Sequence, residues 1–313
     1  MRYISELREG DQVSEVYLCK TKSPGTSKYG KSYYSLTLQD KTGVIDGKVW
    51  ELTNAIGHFE AMDYIHVRGQ VTSYQGSNQL NIHRIRKAQE GEYSMTDYMP
   101  STKKDIDGMY DELVQMIQRT KEPHLRKLAE MIFIKDQDFA REFKVHSAAK
   151  SVHHGYIGGL LEHSLSVAKI CESYAALYPQ INRDLLVMSA LWHDMGKVEE
   201  LSGFPENDYT DEGQLVGHIV MGAIKLDRLM RQIPGFPPKL ANEVKHCILA
   251  HHGELEFGSP KKPALLEAIA LSQADNLDAR METFAEIIEK QKEDQEWSGF
   301  QRLLDTRIRK TSI

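Results

Sequence analysis

Histidine and aspartate recur along this chain at places where a packed helix would normally carry leucine or alanine. Nine of the 13 histidines lie between residues 146 and 252. His163 sits in "GGLLEHSLSVAK" and shares a helical face with Leu160, Val167 and Ile170. His193 and Asp194 stand side by side in "SALWHDMGKVEE". On a helix they project about 100° apart, so both lean toward one point while Leu186 and Ala190 pack behind. His218 is flanked by Gly217, Met221 and Gly222, small neighbours that permit close helix approach. His251 and His252 end another apolar run before Gly253, and Asp275 is a polar spot in "LSQADNLDAR". One histidine in a helix is usually an ordinary core or surface residue. Five, with acids, on separate helices argue for convergence. A bare carboxylate buried there would cost several kcal/mol, and a divalent cation between the groups removes that cost. Imidazole with carboxylate suits Mn, Fe, Co, Ni or Zn, the carboxylates favouring octahedral ions. Cys19, Cys171 and Cys247 form no CxxC pair, so a finger-type zinc site is not expected. Gly196 is expected to stop the His193 helix in the left-handed conformation. His246 points away from His251 and is left out of the set.

Helices must carry these side chains. From about residue 108 apolar residues repeat at i, i+3 or i+4, as in "MYDELVQMIQRT", "DLLVMSALWHDMGK", "LVGHIVMGAIKLDRLMRQI", "KLANEVKHCILAHHGEL" and "PALLEAIALSQADNLDARMETFAEIIEK". An all-α domain over 108–313 is predicted. Residues 13–87 alternate instead. "KSYYSLTLQD" and "KTGVIDGKVW" flank a turn at Asp40–Gly43, and "DYIHVRGQVTSY" and "NQLNIHRIRK" flank "QGSN". Five strands with Gly-bearing turns predict a small all-β barrel of the OB-fold type over 1–90. The polar stretch 91–107 is expected to be a linker. The C-terminal "EWSGFQRLLDTRIRKTSI" is an amphipathic piece expected to pack.

The composition, 41% hydrophobic and 27% charged, is that of a globular protein. No signal peptide and no membrane span is expected, and scattered thiols fit a cytoplasmic location. A net charge of −6 argues against indiscriminate nucleic-acid binding. Residues 1–90 hold 12 basic and 10 acidic residues, a net of +2, which leaves −8 for the remainder.

The order H…HD…D, carried by His163, His193–Asp194 and Asp275, resembles the HD superfamily of metal-dependent phosphohydrolases. His218 and the His251–His252 doublet resemble its two-metal version. The resemblance implies one ion on His163, His193, Asp194 and Asp275, and a second on Asp194, His218, His251 and His252, with Asp194 bridging. Such a pair would lower the pKa of a water and shield phosphate oxygens. Lys197 would stabilise charge on phosphate; the alternative is a solvated lysine at a helix end. His153 and His154, ahead of Gly158 and Gly159 in "SVHHGYIGGLLEHS", are candidates for phosphate contact, with a structural role as the alternative.

Fold does not choose the substrate. HD enzymes for cyclic dinucleotides carry Gly-Tyr-Pro after the doublet, where this chain has "HHGELEFGSPKKP". In the barrel, Tyr29 and Tyr33 beside Lys28 and Lys31 form a candidate platform for single strands, while Tyr34 and Trp50 are expected in the barrel core. Barrel, linker, "HHGYIGGLLEHS", "LWHDMGK" and "AHHGELEFGSP", in that order, resemble the YhaM-type 3′-to-5′ exoribonucleases over nearly the whole chain. That resemblance implies Mn-dependent release of nucleotides from the 3′ end of single-stranded RNA, with single-stranded DNA as a second substrate. Two ions per site are expected, Co, Fe or Ni being compatible, and a homo-oligomer. Two alternatives remain open: an HD-type nucleotide or cyclic-dinucleotide phosphohydrolase, and a single-strand DNA-binding replication factor with a structural metal.

Overall fold

The alternating residues of the first part fold as strands because one face of each meets a shared apolar interior. They are β1 (Gln12–Thr26), β2 (Ser32–Asp40), β3 (Gly43–Val49), β4 (Tyr64–Tyr74) and β5 (Ser77–Lys87). In this computed structural model, which describes all residues except 28, 75, 151–153, 292–294, 303 and 313, they close in the order β1-β2-β3-β5-β4. Neighbours are antiparallel except β3 and β5. This is the OB-fold topology. The long β1 pairs with β4 through Gln12–Leu18 and with β2 through Leu18–Thr26, and an irregularity between Cys19 and Thr21 bends it to do so. Tyr17, Leu36, Leu38, Val67 and Leu80 fill the interior.

The chain divides into two compact units, Met1–Pro100 with Phe204–Glu206, and Ser101–Gly203 with Asn207–Ile313. The expected linker 91–107 is therefore corrected. Tyr98 is buried with Val16, Leu18 and Tyr64, and its hydroxyl donates to the Val16 carbonyl at 3.2 Å. Tyr93 stacks on Tyr64 with ring centroids 3.9 Å apart. Two aromatic side chains in a polar stretch thus attach it to the barrel. From Ser101 the chain joins the helical unit, where the Thr102 amide donates to the Ile157 carbonyl at 2.9 Å.

Among the described residues ten α-helices follow: α1 (Ile106–Arg119), α2 (Pro123–Glu130), α3 (Gln137–Val145), α4 (Gly159–Leu177), α5 (Arg183–Trp192), α6 (Lys197–Glu200), α7 (Asp211–Val216), α8 (His218–Met230), α9 (Pro238–Leu249) and α10 (Leu266–Lys290). Every residue of α5 from Asp184 to Trp192 is buried, and α2, α4, α9 and α10 pack around it. Asn182 caps its start by accepting from the Leu185 amide. Two expectations change. The helix predicted through "LVGHIVMGAIKLDRLMRQI" breaks at Gly217, whose φ of 77° only glycine adopts freely, so that His218 opens α8. Past α10 the described residues are not helical and form the bridges Trp297–Arg309 and Gln301–Thr306. Among the described residues no helix is long and apolar enough to cross a membrane.

Truncating Tyr98 to alanine should lower stability by about 3–5 kcal/mol in urea unfolding followed by barrel tryptophan fluorescence. Tyr29→Ala, at a residue 86% exposed, should shift it by less than about 0.5 kcal/mol.

Candidate metal centre

Helix ends bring the predicted side chains together. His163 comes from α4, His193 and Asp194 follow α5, Lys197 opens α6, His218 opens α8, His251 and His252 follow α9, and Asp275 lies on α10. All seven candidate ligands are in the helical unit, and six of them fall into two groups: His163, His193 and Asp275, and His218, His251 and His252. Asp194, 1% exposed, lies between them. Its Oδ2 is 3.5 Å from His163 Nε2 and 3.4 Å from His193 Nε2. Its Oδ1 is 3.4 Å from His218 Nε2 and 3.7 Å from His251 Nε2. Asp275 Oδ1 is 3.2 Å from His163 Nε2.

The ring tautomers explain the arrangement. His193 Nδ1 faces the Ala190 carbonyl at 2.7 Å, His251 Nδ1 the Ile248 carbonyl at 2.7 Å, and His252 Nδ1 the Phe257 carbonyl at 2.8 Å. A carbonyl only accepts, so each Nδ1 donates and each Nε2 presents a lone pair. His218 Nδ1 likewise donates to Glu200 Oε1 at 2.9 Å. Asp194 Oδ1, His218 Nε2 and His251 Nε2 are buried with no hydrogen-bond partner. Inward-facing donors 3–4 Å apart match the edges of a coordination shell with bonds of about 2.1 Å. The residues present therefore fit a bound divalent cation.

Electrostatics agree. Burial opposes charge on Asp194, but Lys197 and His193 outweigh it and hold the carboxyl well below its usual range. Burial also opposes charge on His163, yet Asp275 and Asp278 push it up to about 10. These carboxylates draw positive charge into the centre, as a proton or as a metal ion. Burial lowers both His251 and His252, keeping the imidazoles neutral, as ligands must be.

A family model for the HD domain matches residues 160–280. A 3′-5′ exoribonuclease YhaM of Bacillus velezensis is 35% identical over 274 residues, covering 87% of this chain and 86% of that one. The Listeria innocua protein of the same name is 34% identical over 281 residues, with 89% and 88% covered. That of Bacillus subtilis is 33% identical, with 90% of each covered. The chain belongs to the YhaM family of 3′-5′ exoribonucleases. Among solved structures, the second OB-fold domain of replication protein A from Methanococcus maripaludis matches at 24% identity and a TM-score of 0.22, covering 29% of this chain and 96% of that one. The OB-fold assignment rests on strand order instead.

The HD domain of this YhaM-family chain implies divalent-metal dependence, and the His/Asp groups are potential donors for such an ion. Lys197 lines the same cavity, of about 380 Å³, and its Nζ donates to Asp194 Oδ2 at 2.7 Å. His246 is outside the cluster, accepting from the Ala264 amide through Nε2.

Other expectations are corrected. Gly196 is right-handed, with φ −67°; its glycine is needed because a Cβ there would lie 2.1 Å from the His218 carbonyl oxygen. His154, read as a substrate contact, is buried, with Nε2 3.0 Å from Asp278 and Nδ1 3.0 Å from the Tyr156 hydroxyl, so both ring nitrogens have protein partners. His153 and Lys28 lie outside the described residues. On the barrel, Tyr29 and Lys31 are exposed and Tyr33 is half-buried. Trp50, expected inside, is 44% exposed with its ring 4.9 Å from that of Tyr33. Tyr34, also expected in the core, is half-buried and packs against it.

Two residues escaped sequence reasoning. Asp278 Oδ2 accepts from His163 Nδ1 at 2.8 Å, and Ser166 donates to its other oxygen. Glu200 holds His218 and also accepts from that residue's backbone amide at 2.9 Å, at the start of α8. Such carboxylates fix the rotation and basicity of a histidine ligand. The available signals were the i, i+3 spacing of Asp278 from Asp275, and the acidic pair that ends "HDMGKVEE".

Gly196→Ala should drive α8 away from Asp194 and remove His218 from the centre. Elemental analysis after dialysis should show lower metal content with an unchanged circular dichroism spectrum; full occupancy would contradict the contact. Chelation should lower the melting temperature of the natural chain, since metal at 100 times its Kd stabilises the folded state by about 2.7 kcal/mol.

Proposed function

We propose that this chain removes nucleotides from the 3′ end of single-stranded RNA by hydrolysis with two divalent ions, Mn being the working metal. The observation that carries this reading is the position of Asp194, with one oxygen turned to each group of histidines. His163, His193 and Asp275 would hold one ion and His218, His251 and His252 the other, with Asp194 touching both. When bound, such a pair supplies a water of lowered pKa and neutralises nonbridging phosphate oxygens.

The chain's own residues do the positioning. Each Nδ1 anchor keeps its imidazole in place, so little reorganisation accompanies binding. Lys197, with its ammonium at the Asp194 carboxylate, donates to a phosphate oxygen as charge develops there. On the barrel, Tyr29, Lys31 and Tyr33, with Trp50 beside Tyr33, offer aromatic faces and positive charge to a single strand. Stacking of this kind is worth about 1–3 kcal/mol per base and tolerates any sequence, single-stranded DNA included. The preference for RNA and the direction of attack follow from family membership. The same reading has the chain act in the cytoplasm as an assembly of like copies.

A single-stranded RNA blocked at the 5′ end should be shortened with Mn and survive with chelator, while a 3′-blocked RNA survives in both. Attack on the 3′-blocked strand alone, or faster cleavage of free nucleoside triphosphates than of RNA, would overturn the reading. Asp194→Ala should abolish turnover at every Mn concentration, and normal turnover by that variant would refute the bridging role.

A further inference from the structure

We propose that a second cavity beside the metal centre receives the base of the terminal nucleotide, with the Phe257 ring as its stacking surface. This rests on the nuclease reading above and names a subsite for it. The cavity has a volume of about 560 Å³, within the range that holds a small ligand, and is lined by Phe257, Lys262, Leu266, Ile269, Gln273 and Asn276 among others. It shares His252, Phe257, Ser272 and Asn276 with the cavity of the metal centre. A nucleotide whose phosphate lies among the histidines therefore extends directly into it.

The walls suit a base. Phe257 is 62% exposed, Leu266 45% and Ile269 42%, so three large apolar side chains face one hollow instead of the core. The hollow offers a flat aromatic face and an aliphatic wall. The amides of Gln273 and Asn276 each carry donors and an acceptor, so they match the edge of any nucleobase without selecting one. A purely apolar guest would have no use for two amides beside a phosphate-binding centre.

Phe257 is also held in register with the metal ligands. It ends the short turn Leu255–Phe257, and its carbonyl accepts from His252 Nδ1 at 2.8 Å. Beyond it the Ser259 hydroxyl lies 3.0 Å from the carbonyls of Leu249 and Lys261. Glu254 pairs with Lys262 at 2.6 Å. The backbone that carries the ring is thus tied to a candidate ligand, while the ring itself is left open. Replacing the side chain leaves that carbonyl in place.

The test uses the full chain loaded with Mn, titrated with AMP, CMP and ribose 5-phosphate in a calorimeter. Phe257→Ala should weaken AMP and CMP by about 5- to 150-fold, the value of one stacked base. Ribose 5-phosphate, which has no base, should change by less than about twofold, and Phe257→Tyr should restore nucleotide binding. Unchanged AMP affinity in Phe257→Ala, or equal weakening of all three ligands, would overturn the proposal. Elemental analysis of the variant checks that His252 still holds its metal. Degradation of 5′-blocked RNA by the natural chain reports on the nuclease reading separately. If that fails while Phe257→Ala still loses AMP, the base site stands and the polymer substrate is wrong.

Discussion

A buried carboxylate surrounded by imidazole lone pairs is the constraint on which this structure depends. Asp194 is removed from water, and four neighbouring histidines spend their Nδ1 hydrogens on carbonyls or Glu200. Their Nε2 atoms consequently point inward as acceptors. His163 is different, bracketed by Asp275 and Asp278, which draw positive charge to it. Acceptors gathered in a low-dielectric space repel one another. A cation is the group that turns this arrangement from a cost into a binding site.

The helical unit is organised to keep that cluster in register. The apolar α5 forms its centre and ends at the His193–Asp194 pair, so a helix buried from Asp184 to Trp192 delivers two fully buried candidate ligands. The other ligands come mainly from helix ends, where the backbone can turn a side chain inward without interrupting a packed face. Glu200 serves twice, taking the first amide of α8 and fixing the His218 ring. Gly196 lets α8 approach the turn that follows Asp194. Phe257 continues the same economy, since its carbonyl orients His252 while its ring lines the adjoining cavity.

Much of this was legible in the residues. His163, His193, His218, His251 and Asp275 stood out as polar positions inside apolar periodic runs, and alternation around Leu36 and Leu38 announced the barrel. What was hidden has physical causes. A glycine that ends a helix and a glycine that admits a neighbouring backbone look identical in sequence, so Gly196 was misread. Gly217 looked like a small residue within a helix and proved to be its break. Tyr98 was masked by its polar surroundings. Asp278 and Glu200 resemble surface acids until their partners are seen, because those partners lie 115 and 18 residues away. His154 appeared available for substrate only because its pairing with Asp278 is also long-range.

The most direct measurement is a crystal of this chain grown with Mn, with anomalous diffraction recorded at the Mn edge. The account predicts two peaks about 3.5–4 Å apart, one on the Oδ2 side of Asp194 among His163, His193 and Asp275, and one on the Oδ1 side among His218, His251 and His252. A single peak remote from Asp194, or no peak in the cluster, would contradict it.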